Sequence, residues 1–115
     1  MIKGVGIDVI EISRIQHAVE RWGEYFLKHV FTIDEIAYAS KHRFPYPHYA
    51  GRFAAKEAIF KALGDQHVAW KDLNILNDSQ GKPYCVLTKP GFSDRIFISI
   101  SHSKDYAVAQ AIVEA

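Results

Sequence analysis

Three polar features of this sequence have the residue types that chemistry needs: Asp8, the pair Glu57 and Lys61, and the run Ser101-His102-Ser103. Glu57 and Lys61 lie four apart within RFAAKEAIFKALG (52–64), so a helix there carries both on one strip, together with Ala50, Phe53, Ala54 and Phe60. The ordinary reading is a surface ion pair worth about 0.3–0.5 kcal/mol. Yet a solvated strip would not be flanked by Phe53, Ala54 and Phe60, and charges set among apolar groups need partners, which a metal and a phosphate can supply. Asp8 closes the run IKGVGID and reads either as a turn former or N-cap at a strand end, or as a second carboxylate. Two carboxylates with no third ligand favour Mg2+, which takes oxygen ligands, keeps several waters and completes its shell with substrate phosphates. Lys61 would then act as a point charge on the same phosphates. His102 and its flanking hydroxyls either satisfy a tight hairpin's backbone or grip a phosphate. Together these residue types point to a Mg2+-dependent enzyme acting on a phosphate ester, by positioning and charge neutralisation.

Other chemistries find no support. The six histidines form neither HxxxH nor HExxH pairs, so a zinc site is not expected. Neither GxxxxGK[ST] nor GxGxxG occurs, and no GxSxG elbow surrounds the serines of SHS. Cys85, in the apolar run YCVL, reads as a small core residue; as the single cysteine it forms no internal disulfide, which suits a reducing compartment. A net charge of +1 argues against a general nucleic-acid binder. No leader pattern and no run of about 18 apolar residues is visible, so a soluble, cytoplasmic protein free of the membrane is expected.

The elements that must position these groups follow in order. Ile2 to Val9 reads as a strand ending near Asp8, with Gly4 and Gly6 permitting close approach of another backbone or subunit. A helix from about Glu11 to Trp22 is stopped by Gly23. Ile12, Ile15, Val19, Trp22 and Phe26 line one side, and Arg14, His17, Ala18, Arg21 and Tyr25 the other. The second strip is either a plain solvated face or a docking surface for an acidic protein, because it holds arginines without an acid and an exposed tyrosine. EYFLKHVF (24–31) packs into the core. Thr32 and Glu35 match a capping box that opens a short helix to about Lys41. In KHRFPYPHY (41–49), Pro45 and Pro47 exclude a helix, leaving a connector or a lip over a ligand site. The central helix ends at Gly64. After it come VAWKDLNIL (68–76), the turn NDSQGKP, PYCVLT (83–88), RIFISISHS (95–103) and YAVAQAIVE (106–114), read as two antiparallel hairpins. At 115 residues, 49% hydrophobic and 23% charged, the chain is expected to form one domain, 1–115, of α+β class. Its N-terminal strand and helices precede an antiparallel sheet packed on the central helix.

GVGIDVIEISRI (4–15), AGRFAAKEAIFKALG (50–64), WKDLNILNDSQGKPYCVL (70–87) and SISHSKDYAVA (99–109) occur in this order. The full chain thereby resembles the holo-[acyl-carrier-protein] synthases, the small 4′-phosphopantetheinyl transferases of fatty acid synthesis. The resemblance implies transfer of the 4′-phosphopantetheine arm of coenzyme A to a serine of apo acyl carrier protein, with release of adenosine 3′,5′-bisphosphate. It places Mg2+ on Asp8 and Glu57 and the pyrophosphate at Lys61. His102, with Ser101 and Ser103, falls near the adenosine phosphates, and Arg52 and Lys56 become further coenzyme A contacts. It implies a homotrimer with sites shared between subunits, His102 coming from the neighbour of the chain that supplies Asp8, Glu57 and Lys61. It also makes the strip Arg14, His17, Arg21, Tyr25 the carrier-protein docking surface. Two departures stand out: GDQHVAW (64–70) is shorter than the glycine-rich loop usual there, and Ile10 replaces the additional acid of the larger two-domain transferases. The alternatives are a Mg2+-dependent phosphohydrolase acting on coenzyme A or a nucleotide, and a non-enzymatic module that binds an acidic protein.

Overall fold

The computed structural model of the chain describes residues 1–64 and 67–115; Asp65 and Gln66, inside the shortened 64–70 loop, lie outside the described residues. Strand β1 (Ile2–Glu11) leads into helices α1 (Ile12–Trp22), α2 (Glu24–Val30), α3 (Ile33–Ser40) and α4 (Tyr46–Leu63). A short turn of 3-10 helix at Trp70–Asp72 precedes strands β2 (Leu73–Asn77), β3 (Pro83–Leu87), β4 (Arg95–His102) and β5 (Tyr106–Glu114). The α+β class and the two antiparallel hairpins are as expected from the sequence. The strands, however, divide into two sheets, β1-β5-β4 and β2-β3, and β5 lies between β1 and β4. The two ends of the chain therefore meet in one sheet, Ile2 opposite Glu114 and Asp8 opposite Ala109.

The middle of that sheet is built from small residues on one face. Gly4, Gly6, Asp8 and Ile10 of β1 share it with Ala107, Ala109 and Ala111 of β5 and with Ile98, Ile100 and His102 of β4. Against it lies α4, whose Ala50, Ala54, Ala55, Ala58 and Ile59 are wholly buried. A Cβ on Gly6 would sit 1.9 Å from the Ala58 carbonyl oxygen, and one on Gly4 at the same distance from that of Ala62. Helix and strand thus touch backbone to backbone, which only glycine allows. This close approach sets the register of α4 along β1 and brings the Glu57–Lys61 turn beside Asp8.

Three expectations are corrected, and EYFLKHVF, expected to pack into the core, does so through the buried Val30 and Phe31. β1 runs three residues past Asp8, so Asp8 sits inside a strand whose helix-facing row it shares with glycines and alanines. EYFLKHV is a helix of its own, turned from α1 at Gly23, whose φ of 56° lies in the left-handed region. α4 begins at Tyr46 rather than Arg52, because Pro45 is its N-cap and Pro47 falls in the first turn, where a missing N–H costs nothing. Trp22 lies exposed, as α1 turns its Ile12 and Ile15 inward and ends before a further turn could bury the indole. The Thr32–Glu35 capping box is present in both its hydrogen bonds.

The opposite face of the three-stranded sheet has no helix over it among the described residues. Val5, Ile7 and Val9 stand there 56%, 60% and 59% exposed, beside Phe97 and Tyr106. Such a contiguous apolar face is unusual on a chain that works alone.

Candidate active site

Packing α4 on β1 gathers the first group of polar residues. Lys61 Nζ donates to the Ile7 carbonyl at 2.9 Å and to Asp8 Oδ1 at 3.2 Å. The lysine therefore pairs with Asp8 across the helix–strand contact. Glu57, one turn earlier, lies between Phe53 and Phe60 on its strip; both rings pack on Trp70, Phe53 stacked at 5.1 Å and Phe60 edge-on at 4.9 Å. Burial raises the Glu57 carboxyl above its usual range, the Asp8 charge raises it further, and Lys61 pulls it back. The Asp8 charge thus lies close enough to oppose the ionisation of Glu57, with one ammonium beside them.

This donor set fits Mg2+. Its ligands are hard carboxylate oxygens, the pair repels itself without a cation, and among the described residues no cluster of three or more His, Cys, Asp or Glu is gathered to enclose a metal. Two protein carboxylates leave positions for water and phosphate oxygens, as Mg2+ sites usually do.

The second group lies at the other end of the same sheet face. His102, the last residue of β4, lines a cavity of about 260 Å3 with Ser101, Arg52, His48 and Asn77. Arg52 is 4% exposed, its guanidinium lies 4.1 Å over the Tyr38 ring, and Nη2 donates to Asn77 Oδ1. Its Nε is buried with no partner among the described residues. A buried donor of this kind costs about 1–3 kcal/mol unless something accepts from it. Asp8, Glu57 and Lys61 do not line this cavity. Ser103 lies beyond it, where its Oγ accepts from Tyr106 N–H at 3.3 Å and closes the β4–β5 hairpin.

Lys56 is not where a coenzyme A contact would be. It is wholly buried, and its ammonium reaches Glu35 Oε1 at 2.7 Å, the Val30 carbonyl at 2.8 Å and the Trp70 carbonyl at 2.9 Å. Glu35 also accepts from the Thr32 and Ile75 N–H groups, at 2.8 and 2.6 Å. This network ties α2, α3, α4 and β2 behind the site, and sequence reasoning missed it. The signal was present: Lys56 stands on a helix that is apolar nearly all round, and Glu35 is the capping-box acid at the head of a neighbouring helix. His42 and His48 were also missed, because both lie inside the stretch 41–49 read as loop, and their ring stack forms only once α4 begins at Tyr46. Cys85, half-buried, has its thiol pushed up to about 12, by burial first and then by Glu35, and so keeps its proton at neutral pH.

Arg14, His17 and Arg21 are exposed along one side of α1, and Tyr25, on α2 past the turn at Gly23, is 79% exposed. Arg21 lies 5.0 Å over the Trp22 ring.

A glycine-spaced strand, a central helix bearing KEAxxK and a terminal β-hairpin with SHS define a class of transferase. The sequence model of the 4′-phosphopantetheinyl transferase superfamily matches residues 4–111, and the chain belongs to that superfamily. Within it the chain is 47% identical, over 98% of its length and 99% of the relative's, to the holo-[acyl-carrier-protein] synthase of Thermodesulfovibrio yellowstonii. The holo-(acyl-carrier-protein) synthase of Bacillus anthracis, solved in complex with coenzyme A (3′,5′-ADP), superposes with a TM-score of 0.88 at 37% identity, covering 100% of this chain and 98% of that one. The Helicobacter pylori holo-[acyl-carrier-protein] synthase, in complex with coenzyme A, gives 0.86 at 30% identity, covering 96% and 99%.

Proposed function

We propose that this chain is an enzyme that transfers the 4′-phosphopantetheine group of coenzyme A to a serine of apo acyl carrier protein, releasing adenosine 3′,5′-bisphosphate. The observation that carries the reading is the convergence of Asp8, Glu57 and Lys61 where α4 crosses β1, in a chain 47% identical to a holo-[acyl-carrier-protein] synthase. The serine Oγ attacks the phosphorus that bears the pantetheine arm. The bond from that phosphorus to the bridging pyrophosphate oxygen breaks, and the bisphosphate leaves with the electron pair. Asp8 and Glu57 would hold Mg2+, which when bound would supply charge neutralisation on the pyrophosphate. Lys61, half exposed, leaves the Ile7 carbonyl and Asp8 to place its ammonium on the phosphates. The serine proton passes to a water held by Glu57. The nucleophile belongs to the partner protein, so the chain needs none of its own.

His102, Ser101 and Arg52, which line one cavity, serve the adenosine end. Because their cavity does not include the Asp8 cluster, a complete site is assembled from neighbouring subunits of a homotrimer. The open apolar face of Val5, Ile7, Val9 and Phe97 is the surface that such an assembly would cover. Ser103 stays a hairpin residue. We place the enzyme in the cytoplasm, in fatty acid synthesis, with residues 1–115 as a single transferase domain; no described helix is long and apolar enough to cross a membrane.

Incubation with apo acyl carrier protein, coenzyme A and Mg2+, followed by native mass spectrometry, tests the reading. A phosphopantetheine adduct on the carrier protein, formed by an enzyme of three times the chain mass, is expected. A folded protein that leaves the carrier unmodified overturns the reading, and coenzyme A breakdown without an acceptor would replace it by a hydrolase. For the docking strip, Arg14→Glu combined with Arg21→Glu raises the KM for the carrier protein by about tenfold or more, since opposed charges become like charges. Coenzyme A affinity stays unchanged. Equal loss of both affinities would show that α1 does not dock the carrier.

A further inference from the structure

The cavity that holds Arg52 and His102 has a third cationisable wall. His48, in the first turn of α4, stacks on His42 with ring centroids 3.7 Å apart and planes at 25°, and meets the edge of the His102 ring at 6.2 Å. His42 is fixed from below: its Nδ1 lies 2.9 Å from the Tyr38 carbonyl, so that nitrogen carries the proton and donates. The groups facing His48 are thus His42 and the Tyr38 ring from α3 and the turn after it, Arg52 from α4 itself and His102 from β4; Lys41 sits one step behind, 5.0 Å over Tyr38. None of the described residues lining the cavity is a carboxylate, and Glu35 is paired with Lys56. Arg52 also borders a second cavity with Asp34 and Asp78, but on the His48 side an entering anion meets only cationisable or neutral groups.

We infer that His48 is a proton-coupled phosphate contact: its ring takes up one proton as a phosphate dianion enters the cavity beside Arg52 and His102, and gives it back when the ligand leaves. Two parts of the geometry require this. Without an anion, a charged His48 would lie against Arg52, with His42 and His102 also at hand, and the ring is partly withdrawn from water. Burial, then His42, Arg52 and His102, hold it down to about 4, so it is neutral when the cavity is empty. With a dianion in place, the dominant neighbouring charge changes sign, and an imidazolium becomes the better partner. Binding and proton uptake are then linked, so affinity for the phosphate rises as pH falls, by at most about tenfold per pH unit for one proton. The inference rests on the reading that this cavity receives the adenosine phosphates of coenzyme A.

Calorimetric titration with adenosine 3′,5′-bisphosphate, at about pH 6 in two buffers of different ionisation heat, counts the protons taken up. The wild-type chain is expected to take up more protons than His48→Phe or His48→Gln. Its affinity advantage over either variant should grow about threefold to tenfold between pH 8 and pH 6. An equal proton count with a constant affinity ratio overturns the role of His48 while leaving the cavity as the phosphate site. No binding of the bisphosphate by the folded wild-type chain overturns both. The imidazole resonances of the unaltered protein give a check that needs no variant: the His48 midpoint moves up from about 4 when the bisphosphate is added, and an unmoved midpoint sinks the inference.

Discussion

Glu57→Gln leaves a folded chain that has lost at least about a hundredfold of its Mg2+-supported transfer rate, the scale set by removing one preorganised charge partner from a site of this kind. The amide keeps the volume of the carboxyl and its place between Phe53 and Phe60, so the packing of α4 on β1 is untouched. What it removes is one of the two anionic donors and the group that accepts the serine's proton. Stability should move the other way. The folded state raises the proton affinity of Glu57 through burial and through Asp8. Near the carboxylate range, the folded chain therefore keeps a proton that the unfolded chain has already released, and stability falls as pH rises through that window. The ionised carboxylate at neutral pH is a cost that glutamine does not carry, so thermal unfolding of Glu57→Gln should be unchanged or slightly higher. The metal-free chain should lose its affinity for Mg2+ on the acid side at a pH above that of an ordinary carboxylate, because protonated Glu57 does not hold a cation. Unchanged turnover in the variant would remove Glu57 from the site.

Lys56→Met is the opposite case, a change next to Glu57 in sequence that acts on stability. It leaves the Glu35 carboxylate wholly buried without its cation, and the Val30 and Trp70 carbonyls without their donor. Breaking a buried pair by removing one partner costs about 3–5 kcal/mol. For a chain of this size that lowers Tm by on the order of 10–20 °C. Lys56→Arg does not restore it, because a planar fork cannot replace a compact ammonium that donates in three directions at once. Thermal unfolding followed by circular dichroism measures both. A loss below about 1 kcal/mol would mean that the pair adds little beyond the packing around it. Adjacent residues on one helix thus have separate consequences: Glu57 faces the strand and the chemistry, while Lys56 faces α3 and the core.

That difference marks the limit of what could be read from the chain. The KEA run, the capping box at Thr32 and Glu35, the turn residues and the period-2 runs of the second half are local signals, and local signals determine element type well. Hence the helix stopping at Gly64, the two C-terminal hairpins and the α+β class were legible. Gly4 and Gly6 even announced a close backbone approach, though not which backbone. The expectation of a loop at 41–49 holds over 41–45 and fails from Tyr46, because a proline is judged by its position in a helix, and that position was known only once α4 was seen to start at Tyr46.

The sequence by itself determined the chemistry available to this protein: two carboxylates, a lysine spaced one turn from one of them, and a histidine in a hairpin, within a family pattern spanning the chain. Only the tertiary structure decided which of these groups meet. Lys61 pairs with Asp8, 53 residues away, because two glycines let α4 lie on β1. Lys56 is taken out of the site by an acid 21 residues earlier. His102 joins Arg52 and His48 because β5 inserts between β1 and β4 and carries β4 to the far side of the sheet. The physical reason is common to all three. Spacing along a chain governs what one element can present, whereas contacts between elements depend on the depth to which backbones can approach, and that is settled only when the whole core is packed.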